Sequence, residues 1–166
     1  MEQQNPYQAP GAVVADADMG GQLAGRGTRF GAAFLDGLIL MAIIWPLMYV
    51  GGYWSAIASG QQPGLGMQLL WIIIGMAVFV LVQGYPLHAT GQTWGKRILG
   101  IRIVDLQEQK PSLGKLLGQR YLPFHVISGI PMFGPLLALV NVLLIFRGDK
   151  RCGHDLVAGT KVIKAN

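Results

Sequence analysis

RGTRFGAAFLDGLILMAIIWPLMYV, residues 26–50, decides the fold. From Phe30 to Val50 it holds one residue charged at neutral pH, Asp36, and it meets the about 20 residues a helix needs to cross a bilayer. A carboxylate at mid-depth costs about 2.5–3.5 kcal/mol on insertion scales, so it is rarely idle. Arg29 and Asp36 are two helical turns apart, which places them on one face roughly 10 Å apart along the axis. Ala32 and Ala33 are expected between them on that face, with Gly37 beyond, while Phe30, Phe34, Leu38 and Met41 point the other way. The charged, small side should face protein or water and the bulky side lipid.

Composition agrees with this reading. The chain has 166 residues, 52% of them hydrophobic and 13% charged. With a mean hydropathy of +0.43 it falls in the membrane class and forms one domain at most. A net charge of +5 could point to nucleic acid. Most of the basic residues stand beside apolar runs, so orientation in an anionic membrane explains them better and no nucleic-acid partner is expected. A single cysteine, Cys152, excludes an internal disulfide, and no motif sets a base beside it for nucleophilic work.

Residues 1–24 carry Gln, Pro and Gly without periodicity and read as a disordered cytoplasmic tail, leaving 25–166 as the membrane domain. The start lacks the pattern of a cleaved signal, so the first apolar run is expected to stay as an anchor. Residues 51–66 are uncharged, and Tyr49, Tyr53 and Trp54 fit an interfacial aromatic belt. A second span is expected at about 67–87, ending at Gly84 and Pro86, with Gln83 turned into the bundle. Residues 88–112 are basic, and the positive-inside rule puts them and the N-terminus in the cytoplasm.

Residues 113–146 form a third apolar region, readable as one span or as two helices broken at Pro131–Pro135. One span would place the basic tail outside. IRIVD at 101–105 and TKVIK at 160–164 look like short alternating strands, and pairing them needs both on one side. A hairpin with helices near 113–130 and 135–147, one of them re-entrant, satisfies both demands. The expected fold is an all-α integral membrane bundle of three to four transmembrane or re-entrant helices with a small cytoplasmic strand pair.

Arg29, Asp36, Arg120 and Asp155 are the charges to explain. Arg120 lies inside an apolar region and needs a carboxylate or a watery cavity. Asp36 is its candidate partner, and Asp155 a candidate for Arg29. RFGAAFLDGLIL, GQTWGKRILGIRIVD and GHDLVAGTKVI resemble the RDD family of small bacterial membrane proteins, named for an arginine and two aspartates. Matched residue by residue, these fall on Arg29, Asp36 and Asp155. The accompanying GxTxGKxxxG stretch falls on Gly91, Thr93, Gly95, Lys96 and Gly100. Gly153 departs from the family, which more often has leucine there, and is expected to loosen local packing. The resemblance implies a protein of the bacterial cytoplasmic membrane, for which transport of an ion or small solute, including exchange of a monovalent cation for a proton, has been suggested.

Each functional reading has a structural counterpart. Asp36 could bind a proton or cation, or form a helix-fixing ion pair with Arg29 or Arg120. Asp155 could stand on an ion path, cap a helix start or hold Arg29. His125 and His154 read as interface histidines, since no Cys/His/Asp set has zinc spacing and no metal or other cofactor is expected. GQTWGKR fails the phosphate-loop pattern, because Thr90 stands for the first glycine and Arg97 for the hydroxyl residue. It reads as a turn on the membrane surface where Lys96 and Arg97 meet lipid phosphates. No catalytic constellation appears, so enzyme is the least expected class. The expected partners are the bilayer and a second copy or another membrane protein. The alternative to transport is a non-transporting membrane scaffold that recruits a partner.

Overall fold

The computed structural model describes residues 21–129 and 133–165. Two helices dominate, α1 (Arg26–Val50) and α3 (Leu65–Thr90), both long and apolar enough to cross a membrane by length and composition. The short helix α2 (Tyr53–Ala58) joins them at one end. There Tyr53 stacks edge-on against Trp54 and Trp71, with centroids 5.8 and 5.9 Å away. At the other end the chain turns through α4 (Trp94–Ile98) into β1 (Ile101–Asp105).

The third apolar region is two helical pieces. The first comprises α5 (Leu113–Lys115), a π-helical turn (Leu116–Tyr121) and α6 (Leu122–Ser128). The second comprises α7 (Phe133–Leu143) and a 3₁₀ turn (Leu144–Phe146). α6 and α7 pack together, giving the hairpin rather than one continuous span. Pro131, one edge of the expected break, lies outside the described residues. α8 (Gly153–Val157) then leads into β2 (Thr160–Lys164), which pairs antiparallel with β1, Ile103 opposite Val162.

Residues 21–24, part of the expected tail, belong to this sheet. Leu23 bridges Ile163, Ala24 N donates to Val162 O at 3.0 Å, and Lys164 N to Gln22 O at 2.9 Å. Residues 1–20, the rest of that tail, lie outside the described residues.

The second long helix runs past its expected stop at Pro86. Proline lacks the N–H that would bond Val82 O one turn back. Trp94 Nε1 donates to that carbonyl instead, at 2.8 Å, and the helix continues to Thr90. It ends at Gly91, whose φ of +69° is the left-handed conformation that glycine adopts at little cost.

The core sits at the charged end. Ala24, Ala32, Leu87, Ile101, Ile103, Leu116 and Val162 form one buried cluster where the sheet meets α1, α3 and the π-turn. Further along the long helices the outward surface is apolar and open: Trp45, Val50, Leu65, Leu69 and Ile73 are all more than half exposed. Buried packing at one end and open apolar surface along the rest is the pattern of helices that face lipid. The molecule is thus mostly helical, with two long apolar helices and one small sheet.

Candidate functional site

Arg29, Ala32 and Asp36 are the buried residues of α1. They repeat at i, i+3 and i+7, one narrow stripe. Ala33 and Gly37, expected on the same face, are exposed, because each lies one residue and so about 100° round from a buried neighbour. Phe30, Phe34, Leu38 and Met41 do point away. The two charges on the stripe serve separate constellations.

Asp36 is held by α3 and α4. Gln83, fully buried in α3, donates Nε2 to Asp36 Oδ1 at 3.0 Å and accepts Trp94 N through its Oε1 at 2.9 Å. Gly95 N donates to the same Oδ1 at 2.8 Å, and Thr93 Oγ1 donates to Oδ2. Lys96 Nζ stands 3.6 Å from Oδ2 and donates to Thr93 Oγ1 at 3.2 Å. Gly95 has to be glycine: a Cβ there would overlap the Ala32 carbonyl oxygen and stand 3.0 Å from the Asp36 carboxyl carbon. GQTWGKR is therefore not a free surface turn. Gly91, Thr93 and Gly95 are buried, Lys96 is half-buried on Asp36, and of the two basic residues only Arg97 is exposed.

Asp155 organises the other constellation, from α8. Arg29 reaches it from α1 and Arg120 from the π-turn, one on each carboxylate oxygen. Arg120 therefore pairs with Asp155, not with Asp36. The π-turn explains how. Pro123 has no N–H to bond one turn back, and the Leu122 N–H bonds Leu117 O, five residues away. In that wider turn Leu116 and Arg120 are both buried. Asp155 also accepts the Cys152 backbone N–H at 3.1 Å and Thr160 Oγ1 at 3.3 Å. It thus caps the start of its own helix and holds Arg29 at once, two of the roles open to it from sequence. Arg29 donates as well to the Lys150 carbonyl, and Arg151 binds Thr160 O and Asp155 O at 3.0 and 3.1 Å.

Burial alone would raise the Asp155 pKa; the guanidinium of Arg120, then His154 and Arg29, outweigh it and hold the carboxyl far below the usual range. His154 is pushed down to about 3 by burial and the Arg120 charge, and is neutral. Its ring and backbone nitrogens both bond Asn141 Oδ1, at 3.0 and 2.9 Å. Burial pushes the Cys152 thiol up, which disfavours the thiolate a nucleophile needs. Cys152, His154 and Asp155 present donor atoms within 4.8 Å of one another. The set does not suit a cation, since Arg29 and Arg120 occupy both Asp155 oxygens and Arg29 Nη2 lies 3.6 Å from the Cys152 sulfur. His125, apart from this group, bonds Ile72 O at 3.0 Å across the α3–α6 contact.

Thr160, Arg151 and Asn141 were not visible in the sequence as site residues. Asn141 did carry a signal, a lone amide in an apolar helix; Thr160 and Arg151 sit in polar stretches that give none. Gly153 packs tightly where loosening was expected, since a Cβ there would stand 3.0 Å from Asn141 Oδ1 and 3.4 Å from Leu144.

A family model described as "RDD family" matches residues 23–159, which contain Arg29, Asp36, Arg120 and Asp155. The chain belongs to the RDD family. Curated relatives are similar over most of their length. An uncharacterised protein of Haemophilus influenzae is 30% identical over 142 residues, 85% of this chain and 78% of that one. YckC of Bacillus subtilis, also uncharacterised, is 33% identical over 142 residues, 86% of this chain and 85% of its own. YxaI of the same organism is 26% identical over 156 residues, 84% and 96% respectively. No solved structure matches. Family membership and the two apolar helices together associate the protein with membranes.

Proposed function

We propose that this RDD protein is a multi-pass scaffold of the bacterial cytoplasmic membrane whose arginines and aspartates lock a cytoplasmic cap onto its membrane helices. One observation carries the reading: the acceptor oxygens of both site carboxylates are taken by this chain's own donors. A carboxylate that works by gaining and losing a proton or cation needs a free position; these are closed. The orientation rests on charge. No lysine or arginine lies between Arg29 and Lys96, so the end carrying α2 is uncharged while the cap end is basic. The same cap is the surface through which the protein would recruit a partner or a second copy.

Exchange of a monovalent cation for a proton is the second reading, and Lys96 favours it. Its ammonium, 3.6 Å from Asp36, is the one partner outside hydrogen-bond distance, and its side chain is 12% exposed. Were Lys96 to swing out, a small cation or proton could take its place. Flux in proteoliposomes decides, comparing wild type with Asp36→Asn, both confirmed folded and inserted. The scaffold predicts no sodium- or lithium-driven proton movement from either protein, and reduced assembly of the variant. Cation-driven flux in wild type that disappears in a well-assembled Asp36→Asn protein overturns it in favour of exchange.

A further inference from the structure

We infer that the C-terminal end of α4 is a lipid-headgroup anchor, in which Arg97 binds the phosphate of an anionic phospholipid while Ile98 and Leu99 enter the acyl layer. This deepens the proposed membrane reading and rests on it. Among the described residues the Arg97 guanidinium has no hydrogen bond and no ion pair. Its one contact of note is the face of Trp94, 5.7 Å away. Trp94 is itself fixed to α3 through Val82 O, so the ring and the charge stacked on it are held in place. The next residue, Ile98, is 64% exposed. Leu99 lies over Gly31 of α1, its Cδ1 3.1 Å from where a Cβ would stand. Gly31 is five residues inside α1, about 7.5 Å past its start along the axis. The end of α4 is thus level with the first apolar turns of a membrane helix and carries two aliphatic side chains beside an uncompensated cation. Exposed aliphatics at that level favour the acyl boundary, and an unpaired guanidinium with its planar donors favours a phosphate. Charge complementarity selects the anionic lipid over a zwitterionic one.

Lipid retention by the purified full-length protein, measured by native mass spectrometry against phosphatidylglycerol and phosphatidylcholine, tests this. Wild type should prefer phosphatidylglycerol. Arg97→Gln should lower that preference about fivefold, the worth of one basic residue at an anionic surface. Arg102→Gln removes the same charge from an exposed position on β1 and should leave the preference intact. Millimolar inorganic phosphate should not displace the lipid. An unchanged preference in Arg97→Gln, an equal fall in Arg102→Gln, or displacement by free phosphate each overturns the anchor. Wild type released from vesicles by alkaline carbonate would instead overturn the membrane reading, and the anchor with it.

Discussion

Asp36 and Asp155 are both buried carboxylates, yet they are held by opposite means. Three neutral donors and one ammonium that falls short of hydrogen-bond distance surround Asp36. Two guanidinium groups in direct contact hold Asp155, with a backbone N–H and a hydroxyl completing its shell. The first arrangement is a cage of dipoles drawn from Gln83 and the turn at 93–96. The second is a charge clamp joining α1, the π-turn and α8. Neutral donors can be replaced one at a time at modest cost. A buried guanidinium that loses its carboxylate has nowhere to put its charge. The clamp should therefore be brittle and the cage forgiving.

The largest effect should come from Asp155→Asn, which leaves Arg29 and Arg120 sharing a neutral amide. Removing one partner of a buried ion pair costs about 3–5 kcal/mol. We expect the variant to be recovered poorly in detergent, with a lower midpoint of thermal unfolding than Asp36→Asn. If the two midpoints fall equally, the distinction between clamp and cage is lost.

Gly95→Ala ranks next because it strikes the cage through backbone rather than charge. The added Cβ meets the Ala32 carbonyl, so α4 must lift off α1 and take Thr93 and Lys96 with it. Overpacking of this kind costs about 1–3 kcal/mol. Thermal unfolding measures the loss, and accessibility of Lys96 to amine labelling should rise with it. Full stability with unchanged labelling would mean that α4 does not need its close approach.

The clamp also sets a pH dependence. His154 titrates near 6.5 when unfolded and at about 3 in the fold, so between these values the unfolded chain binds more protons. Stability from His154 is therefore complete above pH 6.5 and falls as pH drops toward 3, by at most about 1.4 kcal/mol per unit. The lowered Asp155 pKa adds a second loss only further down, below the ordinary carboxylate range. Unfolding midpoints measured from pH 7.5 to 5 should decline in wild type and flatten in His154→Gln. An equal slope in both would remove His154 as the cause.

Much of this contrast could be read in the sequence, and the unread part has a common cause. Arg29 and Asp36 on one face, Gln83 turned inward, the strand pair and the hairpin all follow from periodicity and charge, which are local or simply counted. Which cation meets which carboxylate is not local. Arg120 reaches Asp155 because a π-turn before Pro123 redirects it, and hydropathy carries no trace of that turn. GQTWGKR reads as a membrane-surface turn for the same reason: Thr93, Gly95 and Lys96 answer to one carboxylate nearly sixty positions earlier. Pro86 looked like a stop because the donor that rescues its helix, Trp94, comes after it in the chain.

That rescue yields the smallest effect and the cleanest test of the cage. Trp94→Phe keeps most of the ring but removes the donor to Val82 O, leaving a half-buried carbonyl without that partner at a cost of about 1 kcal/mol. Pro86→Ala restores the N–H that the same carbonyl would accept within the helix. In the Pro86→Ala background Trp94→Phe should therefore cost markedly less than in wild type, a coupling that a double-mutant cycle of unfolding free energies reads directly. Additive costs would mean that Trp94 stabilises α4 through packing and its stack with Arg97 alone. A clear coupling would show that the turn carrying Thr93, Gly95 and Lys96 is held to α3 by the bond that lets α3 pass its proline, so the cage around Asp36 and the length of the second long helix are one structural fact.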